Sequence, residues 1–344
     1  MVFGSGIARS GLLGEVDAFG ADGILLISAD TEAALARELC APFADRVAVT
    51  FTGVRPHVPV EVAERAREVA SGADLVLSVG GGSTTGTAKA VALTTGLPIV
   101  AVPTTYAGSE VTPVWGLTEG SRKTTGTDPR VLPRTVVYDP DLTLTLPAAL
   151  SAASGLNAMA HCVEAFWAPR RNPVSSAVAE DGIRHLSAGL LAVAADPADR
   201  DARAELLLGA YLAGSAFAGA GSGLHHKICH VLGGAFDLPH AQTHAIVLPH
   251  VLAFNAPGAP AAASRIASAL GRPDPVGGLR EFGEKLGVPA GLRELGLRES
   301  GLDDVLDDIL AIVPADNPRP VTSAGLRTLL RAAWGGTDPA TGAP

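Results

Sequence analysis

The sequence predicts an α/β domain over residues 1–146 followed by an all-α domain over residues 147–344. In the first part, short runs of β-branched residues alternate with Ala-rich amphipathic segments, a rhythm typical of βαβ units and of a mostly parallel sheet. In the second part the strand patterns fade, and long Ala- and Leu-rich stretches predict helices. Because 344 residues exceed the usual size of one domain, each part is expected to bury its own core.

The elements of the first part follow one another in a regular order. Strands are predicted at residues 23–27, 47–50, 75–79 and 98–102, and helices at residues 32–39, 60–70 and 87–93. The stretch from Asp139 to Pro147 is the predicted boundary, because Pro and Asp end the last strand and Pro147 opens a helix. Further helices are predicted at residues 149–166, 174–195 and 202–220 and within the segment 223–250.

Composition and charge argue against several classes of protein. With 47% hydrophobic and 18% charged residues, the chain can bury well-packed cores, so disorder is not expected. The net charge of −9 and the lack of Lys and Arg runs interleaved with aromatic residues disfavour a nucleic-acid partner. No apolar run reaches the roughly eighteen residues of a membrane span, and the first residues lack a signal-peptide pattern. The three cysteines form no CxxC pair, which suits a reducing compartment, so a cytoplasmic location is expected.

A glycine-rich turn directly follows the third predicted strand and runs into a helical pattern. The turn consists of Gly80, Gly81, Gly82 and Ser83. In this arrangement free backbone N–H groups and a helix N-terminus can meet a phosphate. Taken alone the turn is a weak signal, because a plain tight βα turn has the same composition.

A second polar loop follows the next predicted strand at the same edge of the sheet. Its side-chain hydroxyls belong to Thr104, Thr105 and Tyr106. Two such loops side by side predict a Rossmann-like domain that binds a dinucleotide. Asp30, after the first predicted strand, is a candidate acceptor for the adenosine ribose hydroxyls, which favours NADH over NADPH. An equally good interpretation makes Asp30 the N-cap of the following helix.

Six of the nine histidines fall within residues 223–250. On a helix, His226 and His230 are four residues apart and share a face, while His240 follows a Gly233-Gly234 break and a turn at the preceding proline. Imidazole groups bind divalent metals, transfer protons near neutral pH or hydrogen-bond carboxylates, so spacing alone does not choose among these uses. The segment is a candidate catalytic pocket, with scattered packing histidines as the alternative.

Several motifs together resemble the iron-dependent alcohol dehydrogenase and dehydroquinate-synthase-like superfamily over nearly the whole chain. They are GGGS at 80–83, PTT at 103–105, Asp139-Pro140, Asn157-x₃-His161-x₂-Glu164, and the H-x₃-H…PH pattern of His226, His230 and His240. Within that superfamily the chain is most similar to the maleylacetate reductase family. The strings that carry this similarity are GGGSTTGTAKA (80–90), PTTYAGSEVTPVWGLTEG (103–120), RKTTGTDPRVLP (122–133), GLNAMAHCVEAFWA (155–168) and NPRPVT (317–322).

The resemblance implies a dehydroquinate-synthase-like two-domain fold, an NADH or NADPH cofactor and usually a homodimer. The implied reaction reduces the conjugated C=C bond of maleylacetate, a dicarboxylate keto acid, to 3-oxoadipate in the degradation of aromatic compounds. Beside the glycine turn and the second polar loop, Lys123 matches a family lysine on the nicotinamide side.

The chain departs from the metal-dependent relatives at two positions, and the first of them argues against a catalytic metal. Those relatives hold Fe²⁺ or Zn²⁺ with one Asp and three His, at positions that correspond here to Asn157, His161, His226 and His240. An Asn at the first position removes a negative charge that would balance a divalent cation, so metal affinity should fall. Gly86 also stands where those relatives commonly carry an Asp. We therefore expect that the reaction uses no metal.

Reduction of an enone can proceed through hydrogen-bond donors alone. Hydride addition at the carbon remote from the ketone gives an enolate with a delocalised charge, which His or Lys groups can stabilise. We predict that His226 and His240 donate to the enolate or to the carboxylates, and that one of them or His230 passes the final proton. Asn157 and His161 would line the same wall. Further candidate donors to the two carboxylates are His225, Lys227 and Arg319.

Three alternatives stay open. A metal-dependent alcohol dehydrogenase of the same superfamily would act on a small aldehyde or ketone, and Asn157 argues against it. A non-catalytic nucleotide-binding protein would keep the fold, and the retained histidines argue against it. An enzyme for a related unsaturated keto acid fits the same motifs.

Overall fold

The computed structural model describes residues 1–120 and 122–339. The described chain forms two compact units, which we treat separately. The first comprises Met1–Leu146 together with Ala198–Leu207, and the second comprises Pro147–Pro197 and the chain from Leu208 onward.

The segment Ala198–Leu207 falls in the helical part of the sequence-based division, whereas it packs in the first unit. The side chain of Arg203 gives the physical reason. It is fully buried, and its guanidinium donates to the hydroxyl of Tyr106 at 2.9 Å and to the carbonyl of Leu146 at 3.2 Å. An arginine within an Ala-rich helix gives no sign in the sequence of such a long-range contact.

The described residues of the first unit form eight strands. They are β1 (Val2–Phe3), β2 (Ile24–Ile27), β3 (Val47–Phe51), β4 (Leu75–Gly80), β5 (Ile99–Pro103), β6 (Val114–Glu119), β7 (Arg122–Thr127) and β8 (Thr135–Tyr138). Six of them make one sheet of parallel strands in the order β1-β8-β5-β4-β2-β3, and β6 and β7 pair as a separate antiparallel hairpin. The sequence predicts β2 to β5, whereas β1 is too short and β7 too polar to be recognised.

Helices cover both faces of the sheet, which explains why its central strands are continuous apolar runs. These helices are α1 (Ile7–Asp17), α2 (Ala33–Cys40), α3 (Val60–Glu68) and α4 (Gly82–Thr95). Leu26 and Leu77 pack with α1 and α2, whereas Leu25 and Val76 pack with α3 and α4. The helix after β2 therefore lies on the opposite face from the helix after β4, although the two strands are neighbours. Such a reversal leaves a crevice at the carboxyl ends of these strands, where α/β sheets bind their ligands.

The hairpin is anchored by Lys89 of α4. Its ammonium is fully buried and donates, at 2.5 to 2.9 Å, to the carbonyl oxygens of Ser109, Thr112 and Val114. Burial lowers the pKa of Lys89 to about 7. Three carbonyl dipoles therefore compensate a cation in the protein interior and fix the chain that enters β6.

The described part of the second unit is helical, as predicted. Its helices are α5 (Ala148–Glu164), α6 (Pro173–Ala195), α7 (Arg200–Ala220, from residue 208), α8 (Leu224–Phe236), α9 (His240–Asn255), α10 (Pro260–Leu270), α11 (Pro275–Lys285), α12 (Gly301–Asp304), α13 (Leu306–Leu310) and α14 (Ser323–Gly335). The main core of this unit joins α8, α9 and the C-terminal helices.

The expected break at Gly233-Gly234 is wrong. Helix α8 continues through both glycines to Phe236 and ends at Asp237, whose φ of 50° is left-handed. Packing of Leu232 and Phe236 with the core stabilises the last turn and outweighs the low helix propensity of glycine. Of the described helices, no single one is long and apolar enough to cross a membrane, although the bent pair Arg200–Ala220 and Leu224–Phe236 passes together by length and composition.

Candidate active site

The glycine turn lies at the crevice between β2 and β4. Gly80 has a φ of 150°, and Gly81 is the N-cap of α4. A Cβ atom at Gly81 would lie 3.0 Å from Cγ2 of Thr105, and one at Gly82 would lie 3.1 Å from Cβ of Ala107. The two polar loops therefore approach each other closely only because the turn has no side chains. Backbone N–H groups at the start of α4, together with half-buried Ser83 in its first turn, fit a dinucleotide pyrophosphate.

The acidic residue at this crevice is Glu32, which the sequence analysis missed. Asp30 is exposed at the start of a short 3₁₀ turn, and two residues later Glu32 is directed back to the sheet. The Glu32 carboxylate accepts from the hydroxyl of Thr104 and from the backbone N–H of Gly81. Burial raises the pKa of Glu32, and both hydrogen bonds oppose that rise. The charge beside the cradle therefore comes from Glu32 rather than from Asp30.

The remaining predicted cofactor residues differ in their surroundings. Thr105 is half-buried against Gly81. Tyr106 is fully buried and its hydroxyl accepts from Arg203. Its place around the ribose and nicotinamide stays a prediction. Lys123 is half-buried on β7, where burial lowers its pKa.

Packing explains why a glycine stands at position 86, the second departure from the metal-dependent relatives. A Cβ atom at this position would lie 2.7 Å from Cγ2 of Val58. An aspartate would therefore clash with the chain that precedes α3.

In the second unit, six imidazole rings form one cluster at the meeting point of α5, α8 and α9. The six, which we call the histidine cluster, are His161, His225, His226, His230, His240 and His244. His161 stacks on His226 with ring centroids 4.6 Å apart, and Phe217 of α7 contacts both rings. His230 stacks on His240 at 6.3 Å. The structure thus brings together every histidine that the sequence assigns to catalysis.

Glu164 fixes the orientation of His226. Its carboxylate is fully buried and accepts from Nδ1 of His226 at 2.5 Å. It also accepts from the backbone N–H groups of Gly223 at 2.9 Å and His225 at 2.6 Å, at the start of α8. Because Nδ1 carries the proton in this bond, Nε2 of neutral His226 offers a lone pair. Burial raises the pKa of Glu164, while the electrostatic interaction with His225 and the backbone N–H donors oppose that rise.

His225 and His244 form the inner layer of the cluster. Both are fully buried, and Nε2 of His225 lies 2.9 Å from Nδ1 of His244 in a hydrogen bond. Burial lowers the pKa of His225 to about 3 and that of His244 well below its usual value. His225 is therefore neutral at physiological pH, so its predicted role toward the substrate carboxylates is limited to that of an N–H donor. The sequence analysis did not identify His244. Its ring centroid lies 4.9 Å from that of His226 and 4.3 Å from that of His240.

The other predicted residues of the substrate pocket are Asn157, Lys227 and Arg319. Asn157 is buried one helical turn before His161, and its Oδ1 has no hydrogen-bond partner among the described residues. Lys227 is half-buried on α8, about 100° around the helix from His226. Arg319 stacks on Phe254, with its guanidinium carbon 4.7 Å from the ring centroid. The stacking of Arg319 on Phe254 does not place its guanidinium among the imidazole rings. The position of Lys227 on α8 does not place its ammonium there either.

The three cysteines are free and fully buried. Burial raises the pKa of Cys40 to about 12, and it raises the pKa values of Cys162 and Cys229 as well. A nucleophilic thiolate is therefore disfavoured at each of them.

Family models cover both units. The model described as iron-containing alcohol dehydrogenase matches residues 1–140, and the C-terminal model of the Fe-containing alcohol dehydrogenase family matches residues 151–334. Maleylacetate reductase of Burkholderia cepacia is 46% identical over 341 residues, with 98% of this chain and 96% of that protein covered. Maleylacetate reductase of Sphingobium indicum is 47% identical over 344 residues, with 99% and 97% covered.

Two solved structures are similar over almost the whole chain. An iron-containing alcohol dehydrogenase from Corynebacterium glutamicum has a TM-score of 0.95 at 51% identity and covers 99% of this chain and 96% of its own. Maleylacetate reductase from Agrobacterium tumefaciens has a TM-score of 0.91 at 41% identity, with 98% and 96% covered.

Because buried histidines stay neutral in the folded protein, we predict that the free energy of unfolding falls in mild acid. Burial lowers the pKa of His250 to about 4, whereas an unfolded histidine titrates near 6.5. Below pH 6.5 the unfolded chain therefore binds more protons, so stability is full above that pH and is lost as the pH falls toward 4. Between pH 7 and pH 5 each such histidine should lower the free energy of unfolding by about 2 kcal/mol.

Urea unfolding at pH 7 and pH 5 checks this expectation. His250→Gln should reduce the difference between the two pH values by about 2 kcal/mol. The control His185→Gln, at a partly exposed histidine beside Asp181, should leave the difference unchanged. An unchanged difference in His250→Gln would contradict the assignment.

Proposed function

This chain belongs to the iron-containing alcohol dehydrogenase family, and we propose that within this family it is a maleylacetate reductase that uses NADH. The observation that carries the proposal is the nearly full-length similarity to maleylacetate reductases, at 46% to 47% identity. The reaction adds a hydride to the C=C bond conjugated to the ketone and a proton to the neighbouring carbon, which yields 3-oxoadipate. A cytoplasmic location and a homodimer stay predictions.

The histidine cluster supplies groups suited to this chemistry. Bound NADH provides the hydride. Addition at the carbon remote from the ketone leaves an enolate, and the imidazole N–H of His240 stabilises its charge. His226 donates from Nε2 in its doubly protonated form, in which Nδ1 stays bonded to Glu164. Return of a proton to the carbon beside the ketone completes the reduction, and His226, His240 or His230 transfers it. Asn157, with its open Oδ1, and His161 complete the wall against which the substrate lies.

The residues at the metal positions of the relatives do not fit a divalent iron site. Asn157, His161, His226 and His240 are neutral donors, so no ligand compensates a double positive charge. Glu164 is the carboxylate beside them, but its oxygens already accept from His226 and from the start of α8. An enolate with a delocalised charge also needs a Lewis acid less than an isolated alkoxide does. We therefore assign the reduction to the protein's own donors.

Glu32 supports the preference for NADH. Its carboxylate lies at the end of β2, beside the glycine turn, which is where α/β domains accept the ribose hydroxyls of NADH. The 2′-phosphate of NADPH would bring a second negative group to that carboxylate. Lys123, whose burial disfavours its charge, serves on the nicotinamide side.

Turnover without metal tests the main proposal. Enzyme treated with a chelator and checked by elemental analysis should oxidise NADH rapidly when freshly generated maleylacetate is added. Measurement at the NADH absorbance band gives the rate, and a saturated dicarboxylate keto acid is the control substrate. Activity that appears only after iron or zinc is restored would overturn the metal-free mechanism. Activity confined to small aldehydes or alcohols would instead favour the metal-dependent alcohol dehydrogenase.

Glu164→Gln tests the positioning of His226. The amide keeps the shape of the side chain but lets its nitrogen face His226, so the proton on Nδ1 is no longer specified. We expect kcat to fall about 10- to 100-fold, because groups that orient a functional histidine contribute on that order. The pH profile of kcat should change as well, which a purely structural defect would not produce. The control Glu180→Gln alters a surface carboxylate paired with Arg265 on α10 and should leave both unchanged.

Glu32→Gln tests the cofactor preference. Removal of the charge should raise kcat/KM for NADPH and lower it for NADH, changing their ratio by about 10- to 100-fold, the effect of one charged hydrogen bond. Asp30→Asn, at the exposed acid two residues earlier, is the matched control and should change the ratio less than about twofold. Equal effects of the two substitutions would contradict the role of Glu32.

A further inference from the structure

A second group of metal-binding side chains lies beneath the proposed catalytic histidines. His225 and Cys229 are four residues apart on α8 and share a face, and His244 reaches them from the second turn of α9. Nε2 of His225 lies 2.9 Å from Nδ1 of His244 and 3.7 Å from Sγ of Cys229. One ligand atom from each of the three residues lies within 4.8 Å of the others, and all three side chains are buried.

The donor set is that of a zinc-type cation. Two imidazole nitrogens and one thiolate sulfur are ligands that zinc and similar soft cations prefer over the oxygen-binding metals. A tetrahedral ion with three such ligands needs donor atoms about 3 to 4 Å apart, which follows from metal–ligand distances near 2.0 to 2.3 Å. The separations within this group therefore need only small shifts to hold an ion.

Charge favours an ion at this place more than at the positions used by the metal-dependent relatives. Cys229 becomes a thiolate when it binds a metal, and the Glu164 carboxylate acts electrostatically on both Cys229 and His225. The thiolate provides one negative charge within the ligand set itself, and Glu164, which also contacts His226, provides a second one near both places. The four neutral donors that include Asn157 provide none among themselves.

We propose that His225, Cys229 and His244 form a buried site for one zinc-type divalent cation, distinct from the positions that hold the metal in the relatives. Binding releases the thiol proton of Cys229 to solvent. The proton shared by the two rings moves to an outer ring nitrogen, since Nδ1 of His225 and Nε2 of His244 have no other hydrogen-bond partner among the described residues. No electron transfer is involved. The ion would link α8 to α9 and thereby fix the positions of the catalytic imidazole rings on these two helices.

Metal content of the full-length protein tests this site. Protein produced in zinc-supplemented medium and dialysed against a weak chelator should retain about one zinc per chain by elemental analysis. Cys229→Ala and His244→Gln should each lose it. The control Cys162→Ala removes another fully buried cysteine, on α5, and should keep the zinc. The second control, His240→Gln, changes a residue at one of the relatives' metal positions. This variant should also keep the zinc.

Cobalt gives a readout that needs no variant to fold. Wild-type protein produced in cobalt medium should show the near-ultraviolet absorption of a thiolate bound to Co²⁺, which a site of histidines and Asn157 does not produce. Wild-type protein that retains no zinc and shows no thiolate band would overturn the proposal. Zinc lost in His240→Gln but kept in Cys229→Ala would assign the ion to the relatives' positions. That last result, unlike the first, would also count against the metal-free mechanism.

Discussion

The arrangement of the helical unit depends on one buried carboxylate. The first N–H groups of any helix lack partners within that helix, and a buried helix start must find acceptors elsewhere. Glu164, at the end of α5, accepts from the start of α8 and from the ring of His226 with the same two oxygens. Gly223 permits this approach, because a Cβ atom there would lie 2.7 Å from Oε1 of Glu164. The same interaction therefore joins two helices and sets the direction of a catalytic ring.

Burial divides the histidine cluster into two layers with different chemistry. His225 and His244 are enclosed and stay neutral, so they act as fixed dipoles and packing groups. His161, His230 and His240 are only half-buried and can exchange protons with what lies beside them. His226 is buried like the inner pair, yet it is the ring assigned to the substrate, and its direction is set by Glu164. Depth and hydrogen-bond partners together therefore decide which role each ring takes.

The features that depend on local spacing could be read from the sequence. The glycine turn, the strands β2 to β5 and the spacing of His226 and His230 follow from short-range patterns, and the structure has them where they were expected. Glu32, Glu164 and His244 could not be assigned in this way, because their roles depend on contacts with residues 72, 62 and 19 positions away along the chain. The contact of Tyr106 with Arg203 could not be predicted for the same reason, since Arg203 lies 97 residues further on.

The hydrogen bond from Gly81 to Glu32 has a consequence for the protein between catalytic cycles. The start of α4 carries partial positive charge, and an empty phosphate cradle would leave that charge facing solvent. Glu32 supplies an anion from within the chain, so the turn keeps a negative partner whether or not a nucleotide is bound. The start of α4 therefore does not depend on the dinucleotide for a negative partner. The resting enzyme is in this sense already organised for its next cofactor.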